Sequence, residues 1–146
     1  MRKALLATDA SEASLRAARV LGNLARLDPD LNVVVLHVIP LPETLTPAAG
    51  VGAPLTMADH LDDYLNKRLK EVLESTLVAL CLSEERVSTH HEIGLAAETI
   101  LVEAEKRGCE LIVMGRRGRS TLRELLMGSV SQAVLHRAKV PVLMVP

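Results

Sequence analysis

Short apolar runs alternate along this chain with longer segments in which apolar residues recur at helical spacing. The clearest run, Asn32–Val38 (NVVVLHV), is β-branched and almost continuously apolar, which is typical of a strand covered on both faces in a parallel sheet. Further strands are predicted at Lys3–Thr8, Glu110–Met114 and Val140–Val145. Parallel neighbours need a crossover connection, so this alternation favours an α/β architecture.

Four helices are predicted between the strands. The first carries Leu15, Ala18, Leu21 and Ala25 at helical spacing. The second is an amphipathic helix of about 25 residues. Its apolar side holds Leu61, Leu65, Leu69, Val72, Leu73, Thr76, Leu77 and Leu80. A third ends at Gly108, and a fourth begins near Gly128.

A fifth strand is predicted between the second and third helices. In RVSTHHEI the residues Val87, Thr89 and His91 alternate with polar neighbours, which is typical of a half-exposed edge strand. The order βαβαβαβαβ predicts one doubly wound α/β sandwich around a five-stranded parallel sheet, in a single domain over residues 1–146. In such sheets ligands bind beyond the carboxyl ends of the strands, where the strand order reverses.

Residues 39–56 interrupt this pattern. The segment IPLPETLTPAAGVGAPLT holds four of the seven prolines, so we predict a flexible loop there. A loop of this length in a compact domain is usually either a functional flap or a disordered segment.

Composition limits the classes of function. The only aromatic residue is Tyr64, on the long helix and away from the strand ends, so base-stacking platforms and aromatic cages are not expected. The net charge of −1 gives no field that would steer the chain to nucleic acid or an anionic membrane. The apolar run Ala4–Ala7 is too short for a signal peptide, and no apolar stretch reaches membrane-spanning length. We expect a soluble, cytoplasmic protein.

Metal and nucleophile patterns are weak. Cys81 and Cys109 lack metal-ligand spacing and are interpreted as structural residues in a reducing compartment. No metal site or catalytic triad is predicted from the histidines and acidic residues. The residues considered were His37, Asp59, His60, Asp62, Asp63, His90, His91 and His136.

The informative stretch follows the fourth strand, where Gly115, Gly118, Gly128 and Ser129 are spaced as GxxGx9GS. Glycines after a buried strand let backbone amides approach an anion, and a helix that opens at Gly128 offers further amides with its positive dipole end. Donors and positive charge are added by Ser129, Ser131, Arg116, Arg117 and Arg119. The pattern predicts a phosphate cradle. It lacks the lysine of a P-loop and the GxG of a dinucleotide fold, so glycine turns beside an exposed basic loop are the alternative interpretation.

Four segments, KALLATDASEAS, LHVIP, IVMGRRGRS and LLMGSVSQAVLHRAKVPVLMVP, resemble the universal stress protein family in order and over the whole chain. In that family GxxGx9GS is the ATP-binding signature on a flavodoxin-like fold. The resemblance implies an adenine-nucleotide site, whose residues here would be Ala7, Thr8, Asp9, Val38, Met114, Gly115, Gly118, Gly128, Ser129, Val130 and Ser131. Ala10 departs from the pattern, because many members have glycine after the aspartate.

Simpler roles exist for several of these residues. Asp9 is equally suited to capping the first helix near Ser11, and Val38 and Met114 are suited to the core. Ser129 is predicted as the N-cap of the last helix, a position compatible with anion contact.

The resemblance implies an ATP-binding stress-response module that dimerises through Val140–Val145. A bare apolar edge strand is an aggregation hazard, so pairing with a second copy is also physically sensible. Mg²⁺ is expected only as a companion of the ATP phosphates, and no catalytic base is apparent, so any hydrolysis should be slow. The rival interpretations are a slow ATPase or nucleotidyl-transfer enzyme on the same fold, and an adaptor that binds no nucleotide.

Overall fold

The computed structural model describes residues 2–40, 56–118 and 127–146, with the backbone alone over 56–64. The elements are β1 (Lys3–Ala7), α1 (Glu12–Leu27), β2 (Asn32–Pro40), α2 (Thr56–Leu80), β3 (Val87–Gly94), α3 (Ala96–Lys106), β4 (Leu111–Gly115), α4 (Ser129–Arg137) and β5 (Val142–Val145), with a 3₁₀ turn at Glu84–Arg86. The predicted order of strands and helices is confirmed.

All five strands run parallel in one sheet, in the order β3-β2-β1-β4-β5. The predicted parallel α/β fold is therefore confirmed. The chain first adds strands on one side of β1 and then continues on the other, so the strand order reverses between β1 and β4. Ligand clefts form at the carboxyl ends of the strands on either side of such a reversal.

Both faces of the central strand are buried. Ala4 and Leu6 belong to the core under α1, whereas Leu5 and Ala7 belong to the core under α3 and α4. Successive side chains of a strand point to opposite faces, so a strand between two helical layers needs apolar residues at every position. This explains why β1 and β2 have continuously apolar sequences.

The predicted loop over 39–56 is wrong at both ends. Ile39 and Pro40 continue β2, where they pair with Ile93 and Gly94, and Thr56 already belongs to α2. Pro40 is tolerated because it is the last residue of its strand. The rest of the predicted loop lies outside the described residues.

The last two strands also differ slightly from their predicted bounds. β5 begins at Val142 instead of Val140, since Pro141 contributes only its carbonyl oxygen, which accepts from Ile112 N at 3.0 Å. β4 starts and ends one residue later than predicted. Both differences concern strand ends, where the sequence pattern is weakest.

β3 is an edge strand as predicted, and it is half exposed. Thr89 and His91 are exposed, and the partly buried side chains are His90 and Glu92. The reason is that α3 packs against the face that carries His90, where Arg107 donates to His90 Nε2 at 2.9 Å. Two adjacent histidines gave no sequence signal for which of them faces inward.

Local signals set the helix ends. Ser11 caps α1, and Gly108, at φ +63°, follows the end of α3 in the left-handed conformation that glycine favours. Within the described ranges, no helix combines the length and apolar character needed to cross a bilayer.

α1 and α2 touch at a point where their backbones come very close. A Cβ atom built on Gly22 would lie 2.1 Å from the carbonyl oxygen of Leu80, the last residue of α2. Real Cβ contacts are never this short. Glycine at position 22 is therefore required by helix packing, against its low helix propensity.

We expect Gly22→Ala to lower the free energy of unfolding by about 1–3 kcal/mol, because the methyl group must push α2 away from α1. Urea denaturation measures the change. Arg19→Ala, on the exposed side of the same helix, should stay within about 0.5 kcal/mol of the parent. A Gly22→Ala variant that is more stable than the parent would contradict the close contact between α1 and α2.

Candidate functional site

A cleft of about 620 Å³ opens at the carboxyl ends of β1, β2 and β4, next to the strand reversal. Its volume lies within the usual range of small-molecule sites, about 300–1,000 Å³. It is lined by Ala7, Thr8, Asp9, Ser14, Leu36, His37, Val38, Ile39, Pro40, Leu65, Arg68, Leu69, Ala96, Ile100, Met114, Gly115, Arg117, Gly118, Gly128, Ser129, Val130 and Ser131.

Every residue proposed for the site from the sequence lies in this lining. The set is Ala7, Thr8, Asp9, Val38, Met114, Gly115, Gly118, Gly128, Ser129, Val130 and Ser131. Their position around one cleft is a structural finding, whereas their contact with a ligand remains a prediction. Arg119, the third arginine of the basic loop, lies outside the described residues, as does the side chain of Tyr64.

The turn after β1 forms one wall. Asp9 Oδ1 accepts from the backbone N–H of Ser11 at 2.9 Å and closes a turn of the Asx type. The N-cap of α1 is Ser11, whose Oγ accepts from Ser14 N at 3.3 Å. The alternative in which Asp9 caps α1 is therefore wrong, because Asp9 supports the capping residue and not the helix itself.

A buried cluster of hydroxyl groups supports this turn. Thr8 Oγ1 accepts from Ala10 N at 3.2 Å and lies 2.9 Å from Thr76 Oγ1. Thr8 Oγ1 donates to Ser14 Oγ at 3.3 Å, and Thr76 Oγ1 donates to Val72 O at 2.7 Å. The cluster ties α2 to the wall of the cleft, since Thr76 is fully buried on that helix.

Gly115, the last residue of β4, and Gly118 after it fit against the same wall. A Cβ atom on Gly115 would lie 2.7 Å from Ser14 N, and one on Gly118 would lie 2.8 Å from Asp9 Oδ2. Side chains at these positions would push the segment away from the β1 turn. The glycines therefore let backbone, with its amide donors, line the cleft.

The amino end of α4 forms the opposite wall. Its N-cap is Gly128, and no side chain among the described residues caps it, so the prediction that Ser129 is the N-cap is off by one residue. Gly128 N donates to Arg116 O at 3.0 Å, which fixes the loop against the helix. The next amides have no partner within the helix and carry the positive end of its dipole.

Ser131 differs from its predicted role as a donor to a ligand. It is buried, and its hydroxyl donates to Gly115 O at 3.0 Å. Its side chain therefore joins α4 to the end of β4, and only its backbone amide remains suited to an anion. Ser129 is exposed at the mouth of the cleft.

Several lining residues were not expected from the sequence. Leu65, Arg68 and Leu69 reach the cleft from α2, and His37 reaches it from β2. His37 Nδ1 lies 2.7 Å from Thr8 O, and since a carbonyl oxygen only accepts, Nδ1–H donates to it. Spacing alone placed Leu65 and Leu69 on the apolar side of α2, but it carried no signal for the part of the sheet they would cover.

In the part of the chain that the structure describes, no group of three or more His, Cys, Asp or Glu side chains is arranged to hold a metal ion. Both cysteines are free, Cys81 at the surface and Cys109 in the core. The acidic side chains at the start of α2 lie outside the described residues.

The sequence model of the universal stress protein family matches residues 1–146. This chain belongs to the universal stress protein family. It is 32% identical over 146 residues to the universal stress protein MJ0531 of Methanocaldococcus jannaschii, covering 99% of this chain and 81% of that protein.

Solved structures of the family share the fold. MJ0577 of Methanocaldococcus jannaschii superposes with a TM-score of 0.78 at 28% identity, covering 99% of this chain and 94% of that one. An Archaeoglobus fulgidus family member, solved in complex with dAMP, gives a TM-score of 0.67 at 20% identity and covers 100% of this chain and 98% of that one. The second likeness supports the fold alone.

In the present chain, Ala10 stands at the position after Asp9 where the resemblance led us to expect glycine. Its φ is +56°, in the left-handed region that L-residues occupy at a cost of about 1–2 kcal/mol. The departure therefore leaves the turn in a glycine-like conformation and adds strain beside Asp9. Cys81, at φ +51° after α2, is strained in the same way, far from the cleft in the sequence.

We expect Ala10→Gly to raise the free energy of unfolding by about 1 kcal/mol, because relief of strain exceeds the added entropy of the unfolded chain. Chemical denaturation tests this. Cys81→Gly is the matched control and should give a similar gain. Loss of stability in Ala10→Gly would show that the left-handed turn is wrong.

Proposed function

We propose that the cleft binds an adenine nucleotide, with ATP as the ligand, and that the protein is a nucleotide-dependent binding module of the stress response. The observation that carries this proposal is the meeting of Gly115 and Gly118 with the uncapped amino end of α4. Gly115, Gly118, Gly128 and Ser129 line the same cleft. This is the arrangement that binds phosphate groups in many unrelated folds.

The phosphates would lie between the glycine segment and α4. Amides of Ser129, Val130 and Ser131 provide donors, and the helix dipole favours the negative charge by about 0.3–1 kcal/mol. Arg117 adds a cation to the lining on this side. Mg²⁺, when present, would bind together with the ATP phosphates, and we propose no protein ligands for it.

The base would lie on aliphatic side chains. Val38 of β2 and Met114 of β4 lie near the ends of the two strands that flank β1, and Ile100 and Leu69 add to the apolar surface. Among the described lining residues, none is Phe, Tyr or Trp. Selection of the base and ribose is therefore assigned to backbone groups and to the carboxylate of Asp9, whose Oδ1 already accepts from Ser11 N.

Relatives support the class of ligand. The Archaeoglobus fulgidus family member of the same fold was solved with dAMP. That structural match is evidence for a shared fold only, so the proposal for this chain depends on the residues of its own cleft. The choice of ATP over other adenine nucleotides depends on the GxxGx9GS signature of Gly115, Gly118, Gly128 and Ser129.

We infer that the protein is not an enzyme beyond weak ATP hydrolysis. In the described lining, Asp9 is the one carboxylate, and the turn holds its Oδ1. The imidazole of His37 is likewise held through Nδ1 by Thr8 O. Neither group is free to reorient toward an attacking water, so fast phosphoryl transfer is not expected. The proposed location is the cytoplasm, where ATP is abundant.

We expect calorimetric titration of nucleotide-stripped protein with ATP to show binding at one site per chain. Ser129→Glu should abolish it, because a carboxylate at the start of α4 suits the helix dipole but repels phosphate. Gln132→Glu adds the same charge at an exposed position of α4 outside the lining and should bind like the parent. Gly118→Val should also lose binding, since its side chain collides with Asp9.

The same samples separate the rival functions. Incubated with Mg²⁺ over hours, bound ATP should stay intact, whereas multiple turnovers would favour the ATPase or nucleotidyl-transfer interpretation. No binding to the parent, or equal binding by Gly118→Val, would contradict the nucleotide proposal and favour an adaptor. Circular dichroism of each variant checks that it is folded.

We also propose a homodimer that pairs through Val140–Val145. β5 is the outer strand next to β4, and Val142, Leu143 and Met144 are only partly buried in the single chain. A second copy alongside β5 would satisfy its outward backbone groups and cover these side chains.

Sedimentation equilibrium at micromolar concentration should therefore give twice the chain mass. Val142→Lys, which places a charge on this strand, should shift the equilibrium toward monomer without loss of helical signal. A parent protein that sediments as a monomer would contradict the dimer and leave the nucleotide proposal unaffected.

A further inference from the structure

A second cavity, of about 350 Å³, lies at the opposite edge of the sheet, where β1, β2 and β3 begin and α3 ends. Polar and charged side chains dominate its lining. They are Lys3, Asn32, Glu85, Arg86, Ser88, Lys106 and Arg107. We propose that this cavity, named here the amino-edge cavity, binds a small phosphate-bearing anion, independently of the nucleotide cleft.

Positive charge exceeds negative charge around the amino-edge cavity. Lys106 Nζ lies 3.0 Å from Glu103 Oε1, and Arg107 Nε donates to Glu103 Oε2 at 2.6 Å, so one carboxylate serves two cations. Burial raises the pKa of Glu103, but its bonds to Lys106 and Arg107 outweigh burial and lower it below the usual value. Glu103 is therefore charged, and with Glu85 it offsets two of the four lining cations.

The two remaining cations are held by neutral groups. Lys3 Nζ donates to Arg107 O at 3.0 Å, and Arg86 Nη2 donates to three carbonyl oxygens at 2.6–2.8 Å, those of Ala25, Asp28 and Leu31. These bonds fix both cations at helix ends. A helix end offers only about half a negative charge, so about one unit of positive charge remains between Lys3 and Arg86.

The pKa values of His90 and Cys109, which lie near the amino-edge cavity, respond to its cations. Burial lowers the pKa of His90, and Arg107 lowers it further, so the ring stays neutral with Nε2 as the acceptor for Arg107. Burial raises the pKa of the Cys109 thiol, while Lys3 and Arg107 act in the opposite direction. The cations beside the cavity therefore act on both groups in the direction expected of positive charge.

The lining also offers donors suited to phosphate oxygens. The ammonium group of Lys3 has two further N–H groups that can donate besides the one that contacts Arg107 O. Ser88 is exposed on the same face of the sheet as Lys3, and none of the described contacts occupies its hydroxyl. Charge-assisted bonds from pre-positioned groups are stronger than neutral ones, which favours a compact, multiply charged anion.

Inorganic pyrophosphate is the probe, with amide chemical shifts of isotopically labelled protein as the readout. We expect saturable shifts at Lys3, Asn32 and Ser88. Lys3→Gln keeps a donor for Arg107 O but removes the charge, and Ser88→Glu adds a carboxylate at an exposed position. Each should weaken binding at least about tenfold, because each alters a charge-assisted contact.

Lys70→Gln is the matched control, since Lys70 is exposed on α2 and contacts only Glu74 among the described residues. It should bind pyrophosphate like the parent. Shifts that never saturate, that are unchanged in both variants, or that are confined to Gly115, Gly128 and Ser129 would overturn the proposal. Shifts confined to Gly115, Gly128 and Ser129 would still support phosphate binding in the nucleotide cleft. Saturable shifts at the amino-edge cavity in a protein that does not bind ATP would support the amino-edge site and contradict the nucleotide proposal.

Discussion

β1 pairs on both edges with parallel strands in one aligned register, and the cleft proposed to bind nucleotide depends on that alignment. Ala7 lies opposite Leu36 of β2 and opposite Met114 of β4. The residues that follow these strands therefore emerge at one edge of the sheet. Asp9, Val38 and Gly115 are distant in sequence, but the parallel pairing makes them neighbours around one space.

The sequence was most informative where burial is complete. β1, β2 and β4 were predicted because strands covered on both faces leave an unbroken apolar run. β3 is half exposed, and the sequence did not indicate which of His90 and His91 faces inward, because the two side chains are chemically alike. The end of β2 was missed because Pro40 usually marks a loop, although it is compatible with the last position of a strand.

The glycine segment identified the cleft, but the contribution of α2 was not predictable. Which face of a helix meets which part of a sheet is decided by packing between distant segments, so Arg68 and Leu69 gave no local signal. The same applies to Ser131, whose bond to Gly115 O requires α4 to be placed against β4. Motif spacing indicates which residues converge, whereas the role of each hydroxyl follows only from tertiary contacts.

The two edges of the sheet have different chemistry. At the carboxyl edge, hydroxyl groups and glycines line the space, and Thr76 connects it to α2 through Thr8. At the amino edge, helices end and their carbonyl groups collect lysine and arginine side chains. Because parallel strands place all like ends together, each edge gathers groups of one kind from segments far apart in the chain.

The aliphatic lining of the nucleotide cleft has an optical consequence. With one tyrosine and no tryptophan in the whole chain, the protein absorbs very little near-ultraviolet light. An adenine ring on Val38 and Met114 would have no aromatic partner among the described lining residues to quench or shift its spectrum. Purified protein that carries a nucleotide would therefore reveal it directly in its absorption spectrum, and a single tryptophan introduced near the cleft would report on occupancy without background.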